Sequence, residues 1–322
     1  MKKFSSIEHF RHVVKSVHFY FERIGQKSKV PTMTFTGTVK LHGTNAGVRR
    51  SASGKIQAQS KERILSPTCD NYGFAAFVES LPDKELNELF DKVGGGKDTT
   101  IYGEWIGKGI QSGCAINQLD KQWVIVGAWV NEEYVPNKVT WRLDEFNILN
   151  ILDIDTYHVT IDFKNPGGVV EELERLTHEV EDQCPWAYSF GEKGIGEGIV
   201  WICDERPDDS DLWFKTKGEK HSGKKKSGKE IATIDPQKVE SIEKCIDIIL
   251  TESRLNQGFD HLRERNLEID MKNMGKYLKW IGQDIQKEEM DTIEANDLVW
   301  KDVTKQITAR AKKFFMDKYN EW

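Results

Sequence analysis

Residues 33–40 alternate, with Met33, Phe35 and Val39 on one side and Thr34, Thr36, Thr38 and Lys40 on the other. Period-two alternation predicts a strand with one face in a core and the other outside it. It places Lys40 on the polar face, at the strand end. Residues 46–50 and 55–60 flank a Ser53-Gly54 turn and predict a hairpin. Further strands are expected at 100–106, 123–130, 158–163, 198–203 and 212–217. Helices are expected between them, at 7–24, 71–77, 84–93 and 169–180.

The pattern changes after a lysine-rich stretch. Lys215, Lys217, Lys220, Lys224, Lys225, Lys226 and Lys229 suggest a strand end running into a basic loop, either a solvated surface or a contact for RNA phosphates. Beyond it the apolar spacing is helical: Val239, Ile242, Ile246 and Ile249; Met274, Leu278, Ile281 and Ile285; Trp300, Val303, Ile307, Ala311 and Phe314. These stripes read as ordinary core faces. The expected division is therefore 1–230 and 231–322, an α+β domain followed by a small all-helical one. The 38% hydrophobic content, with ten Trp and fifteen Phe, supplies core for both and excludes global disorder.

The five cysteines, Cys69, Cys114, Cys184, Cys203 and Cys245, form no C-x-x-C pair. They read as core side chains of a protein in a reducing compartment, not as a disulfide framework or zinc site. No signal peptide or apolar run of membrane-spanning length is visible, so a cytoplasmic protein with no membrane partner is expected. The net charge of −6 does not advertise a nucleic-acid binder, but a local groove is governed by charge distribution, not by the sum.

The chemistry concentrates in Lys40-Leu-His-Gly-Thr-Asn45. Covalent nucleotidyl transfer needs an amine nucleophile, which a lysine supplies when burial or nearby cations lower its pKa. It needs a glycine where backbone passes close to a nucleotide, and Gly43 stands three residues on. It also needs carboxylates for a divalent cation and cations for the phosphorus under attack. Alone, this hexapeptide is compatible with a plain strand end and turn. Tyr102-Gly-Glu104-Trp adds a strand carboxylate, and Glu197-Gly-Ile-Val-Trp201 adds another that opens a strand. Trp213-Phe-Lys215-Thr-Lys217 sets two lysines on one strand face, which is unfavourable unless an anion lies between them.

This ordered set resembles the covalent nucleotidyltransferases, and most closely the RNA ligase 2 family, which includes phage RNA ligase 2 and the RNA-editing ligases. The likeness runs through Lys40–Asn45, Tyr102–Trp105, Glu197–Val200 and Phe214–Lys217, and covers roughly the first 220 residues. The histidine of Lys-Leu-His-Gly is typical of this RNA ligase branch, where DNA ligases and capping enzymes usually carry Asp. Lys3–Phe10, Ser60–Ser66 and Asn71–Phe74 also resemble family segments.

The resemblance implies an ATP-grasp-like nucleotidyltransferase domain of antiparallel sheets flanked by helices. Lys40 looks like the lysine that becomes adenylylated, with Lys215 and Lys217 as catalytic companions on the AMP phosphate. Leu41 and Asn45 would lie at the nucleotide, Lys61 at a phosphate, and Arg63 and Glu104 at the ribose. Val126 occupies the place where the family often stacks an aromatic residue on adenine. Glu197, with Glu104 beside it, would bind Mg²⁺ or Mn²⁺. His42 reads as a structural hydrogen-bonding residue. The implied activity is joining of a 3′-OH RNA end to a 5′-phosphate end by a monomer using ATP. A DNA ligase or capping enzyme would typically carry an OB barrel after Lys217. A catalytically silent RNA-binding relative should have lost one of Lys40, Glu104, Glu197, Lys215 or Lys217.

Overall fold

The computed structural model describes residues 1, 3–218, 237–296 and 298–321. The basic stretch 220–229 and the boundary expected near residue 230 lie outside the described residues. The chain divides into two compact units, Met1–Gly218 and Glu219–Trp322.

In the first unit, β1 (Glu8–His9) leads into α1 (Phe10–Arg23), followed by β2 (Thr32–Lys40), β3 (Thr44–Arg50) and β4 (Ile56–Ser60). Helices α2 (Phe74–Ser80) and α3 (Asp83–Gly94) precede β5 (Thr99–Ile106), β6 (Gln122–Val130), β7 (Glu133–Val135), β8 (Ile148–Asn150) and β9 (Tyr157–Asp162). Helices α4 (Val170–Asp182) and α5 (Pro185–Ser189) then lead to β10 (Gly198–Cys203) and β11 (Phe214–Lys217). One sheet runs β1-β11-β10-β2-β9; the other runs β4-β3-β5-β6-β7, with β8 beside β6. Their strands pair antiparallel except at β1–β11 and β6–β8. The class is α+β.

The alternation along β2 does what it predicts. Phe35 and Val39 are buried with Val13 and Val17 of α1 and Leu173 and Val180 of α4, while Lys40 stays on the other face. A second core joins Val48, Ile101, Trp105 and Trp123 to Phe74 of α2 and Leu89 and Phe90 of α3. Each such side chain contributes about 1.5–3 kcal/mol on burial.

Three expected elements start two or three residues later than the sequence pattern predicts. The helix expected over 7–24 begins at Phe10, because Glu8 and His9 pair with Phe214 and Lys215 as a short parallel strand. The helix expected from residue 71 begins at Phe74, since the Asp70 carboxylate accepts the backbone N–H groups of Asn71, Ala75 and Ala76. The strand expected from residue 212 starts at Phe214, after a 3-10 turn over Ser210–Leu212.

The second unit contains α6 (Gln237–Ile249), α7 (Glu252–Glu264), α8 (Met274–Glu294) and α9 (Trp300–Glu321). Its core takes Ile246 and Ile249 from α6, Phe259 and Leu262 from α7, Tyr277, Ile281 and Ile285 from α8, and Val303, Ile307, Ala311 and Phe315 from α9. Phe315, four residues beyond Ala311, fills the place expected for Phe314, which is only partly buried. Among the described residues, no helix is long and apolar enough to cross a membrane.

Arg254 ties this unit together. It is 3% exposed and donates to Asp284 (2.8 Å), Glu289 (3.1 Å) and the Ile249 carbonyl. Removing one member of a buried ion cluster leaves the others uncompensated, at a cost of about 3–5 kcal/mol. Arg254→Leu should therefore lower the denaturant midpoint of the helical unit, followed by tryptophan fluorescence. An unchanged midpoint would show that the cluster is not a support.

Candidate active site

Three strand ends build the centre. In the ladder, Gly198 at the start of β10 faces Lys40 at the end of β2 on one side and Lys217 at the end of β11 on the other. The residue before it, Glu197, therefore enters between the two lysines. Lys40 Nζ donates to Glu197 Oε2 at 2.7 Å, and Lys217 Nζ lies 3.0 Å from Oε1. His42 Nδ1 lies 3.3 Å from Oε2. The Glu197 side chain is 4% exposed. Gly198 has φ +150°, and a Cβ there would stand 2.0 Å from the Thr216 carbonyl oxygen, so only glycine permits this junction.

Electrostatics decides the protonation states. Burial opposes charge on Glu197, but Lys40, Lys217 and His42 outweigh it and hold the carboxyl well below the ordinary carboxylate range. At about 3 Å and an effective dielectric near 20, each lysine offers roughly 5 kcal/mol against a desolvation penalty of several kcal/mol. For Lys40, burial pulls the pKa down, but Glu197 and then Glu104 pull harder, so it lies above its usual value. This corrects the expectation of a lysine depressed by its surroundings: without nucleotide, Lys40 is a firmly held ammonium. The Glu197 contribution to stability is complete above its unfolded pKa and disappears as pH falls through its depressed folded value. The Lys40 contribution is complete below its unfolded pKa and disappears as pH rises through its raised folded value. The network therefore supports the fold most fully between about pH 5 and pH 10.

The second sheet contributes Glu104. Its Oε1 accepts the Gly43 N–H at 3.1 Å, and Asn45 faces it across the β3–β5 ladder. A Cβ at Gly43 would lie 2.3 Å from the Trp105 carbonyl oxygen, which explains the glycine there. Thr44 is buried and accepts from Asn71 Nδ2 at 3.1 Å.

The other predicted residues are placed as follows. Lys215 faces Val200, two residues along the strand from Lys217 and hence on the same face. Leu41 is buried in the first core. Val126 is the residue left over at a bulge where Tyr102 faces Gly127 but Gly103 faces Ile125, and it packs on that same core. Lys61 is exposed in the turn after β4. Arg63 donates to the Cys69 carbonyl (2.5 Å) and the Asp70 carbonyl (2.7 Å), anchoring the loop that caps α2. The geometry thus joins Lys40, His42, Glu197 and Lys217 directly and links Glu104 through Gly43.

The donor set also tests the expected metal. Among the described residues, no group of three or more His, Cys, Asp or Glu could hold a metal ion. Glu197 and Glu104 are two carboxylates, fewer than a protein-only site needs, so a divalent cation there would have to draw its remaining ligands from elsewhere, as magnesium usually does.

The model of the RNA ligase family matches residues 33–217, which include every site residue named above. The chain belongs to the RNA ligase family. A comparison with curated proteins found no match. Among solved structures, the Naegleria gruberi RNA ligase with PPi is similar at 15% identity and a TM-score of 0.47, covering 68% of this chain and 56% of that one. A glutamate-to-alanine variant of that ligase with AMP and Mn is similar at 16% identity and a TM-score of 0.45, over the same shares of the two chains. The chain spans just over half the length of the Naegleria ligase.

Neutralising the central carboxylate should expose how much the network contributes. Glu197→Gln leaves Lys40 and Lys217 as close, uncompensated charges and should cost about 3–5 kcal/mol at pH 7. Thermal unfolding across pH should show the deficit at neutral pH shrinking as the wild-type carboxylate is protonated by acid. Equal melting of the two proteins at pH 7 would contradict the assignment.

Proposed function

We propose that this chain is an ATP-dependent RNA ligase whose 1–230 portion carries out adenylyl transfer and whose helical portion, 231–322, engages nucleic acid. The observation that carries the reading is the in-register meeting of Lys40 and Lys217 on the buried Glu197. A lone structural ion pair needs one lysine. A second lysine and Lys215 on the same face form an anion seat for which a nucleotide phosphate is the fitting occupant.

The proposed sequence has three displacements at phosphorus. Lys40 Nζ, as the free amine, attacks the α-phosphorus of ATP; a P–N bond forms and pyrophosphate leaves. The 5′-phosphate of an RNA strand then attacks the lysyl-bound phosphorus, and AMP moves to that end, returning the amine. Finally the 3′-OH of the neighbouring strand attacks the activated 5′-phosphate, and AMP leaves as the join forms. Lys215 and Lys217 offset charge on the AMP phosphate throughout, while Leu41, Asn45 and Val126 line the nucleotide's seat. Lys61 meets phosphate, and Arg63 and Glu104 orient the ribose. A Mg²⁺ or Mn²⁺ held by Glu197, with Glu104 as second carboxylate, would supply charge neutralisation at the phosphorus under attack. Most of the protein's contribution is positioning.

The first step has a direct test. Intact-mass analysis after incubation with ATP and Mg²⁺ should show one added AMP, acid-stable and mapped to Lys40. Lys40→Ala should carry none, because Lys40 is the amine assigned to attack the phosphorus while Lys215 and Lys217 hold the phosphate. AMP on the alanine variant would refute the nucleophile, and charging by GTP in place of ATP would favour a capping enzyme.

The substrate proposal is a nicked duplex whose 3′-OH strand is RNA. That strand supplies the attacking oxygen, and its sugar geometry sets the angle of approach. The 2′-OH and the A-form shape are what allow a protein to tell RNA from DNA there. A nick with ribonucleotides at the 3′-OH end should seal, whereas its all-deoxy counterpart should stall as adenylylated 5′-phosphate. Equal sealing of both at matched salt would promote the DNA ligase reading.

A further inference from the structure

The peptide between His42 and Gly43 is gripped at both ends. Its N–H, that of Gly43, donates to Glu104 Oε1 at 3.1 Å. Its carbonyl, that of His42, accepts from Asn117 Nδ2 at 3.4 Å. Because a peptide unit is rigid and planar, two such bonds fix its rotation; without them a plane ending in glycine turns easily.

Asn117 is itself locked. It lies in the 3-10 turn Ala115–Gln118, and its Oδ1 accepts the Cys114 N–H at 2.9 Å. Cys114, Ala115 and Ile116 are buried in the first core, so the turn has little freedom. The segment 107–113 before it closes at its base through the Lys108 N–H on the Leu119 carbonyl, 2.9 Å. From the same turn, the Ala115 N–H donates to the Ile195 carbonyl at 2.9 Å, two residues before Glu197. Glu197 in turn lies 3.3 Å from His42 Nδ1. A closed circuit results: from His42 through its carbonyl to Asn117, through Ala115 to Ile195, along the chain to Glu197, and back to the His42 ring.

We propose that Asn117 is a positioning residue for charging of the lysine, acting through the His42 carbonyl to hold the segment after Lys40 in register with Glu197. It touches neither nucleotide nor the reacting atoms. Its effect is on the share of molecules in which the amine, the carboxylate and the Gly43 backbone are correctly placed together. The inference rests on the proposed lysyl-AMP chemistry.

The two amide groups of Asn117 allow the roles to be separated. Asn117→Asp keeps the acceptor for the Cys114 N–H and removes the donor to His42. Asn117→Gln is neutral and keeps both groups, and glutamine is favoured at the third position of such a turn. Single-turnover formation of lysyl-AMP in the full-length chain, over a range of ATP concentrations, reads the effect. Loss of one positioning hydrogen bond should slow charging at saturating ATP about tenfold in the Asp variant. The ATP concentration for half-maximal rate should stay within about twofold, since the nucleotide's own contacts are intact. The Gln variant should charge faster than the Asp variant, and the melting midpoints of both should match the wild type. Wild-type charging by the Asp variant would overturn the proposal. So would a loss of rate that follows a lowered melting midpoint, which would mark Asn117 as a fold support only. Failure of the wild-type chain itself to charge would instead refute the ligase reading.

Discussion

A single buried carboxylate, Glu197, holds this site in shape. It meets two lysines at 2.7 and 3.0 Å while nearly all of its surface is withdrawn from water. A carboxylate so placed is tolerable only with its partners present, and two lysines so close are tolerable only with an anion between them. The three strand ends that carry these groups are therefore bound to one register, and Gly198 is the residue that lets them meet. In the proposed reading the same logic suits the centre to a phosphate: the cations are already gathered, and Lys40 and Lys217 outnumber the Glu197 that gathers them.

Much of this was legible in the sequence, for a definite reason. The alternation from Met33 to Lys40 reports which face of β2 meets the core, and so it reports where Lys40 points. The spacing of Lys215 and Lys217 reports a shared face in the same way. What stayed hidden depends on neighbours far along the chain. The parallel strand at Glu8–His9 exists only because β11 lies beside it, and the bulge that leaves Val126 over is set by the β5 partner. Helix α7 carries Arg254 and Gly258 on its buried face, so its apolar stripe is interrupted and did not stand out. Asn117 offers no spacing to its partners at all, since His42 is 75 residues away. The direction of the Lys40 shift was likewise beyond local reading, because it depends on the balance between burial and two distant carboxylates.

The raised pKa of Lys40 has a consequence for how the chemistry is controlled. An amine held as ammonium by a carboxylate is a poor nucleophile, so under the proposed chemistry Lys40 would have to lose its proton before it attacks. Occupation of the anion seat by phosphate would change the field that Lys40 feels. The chain belongs to the RNA ligase family over residues 33–217, and this cluster lies wholly within that span.

The most direct measurement of the central interaction is an NMR titration of the Lys40 side-chain amine in the nucleotide-free protein, with Glu197→Gln alongside. In the wild type, Lys40 should still carry its proton at pH 10 and titrate above the ordinary lysine value of about 10.4, and the Gln variant should titrate lower. A wild-type Lys40 that loses its proton below the ordinary lysine range, or a midpoint unmoved by Glu197→Gln, would contradict the claim that this carboxylate organises the site.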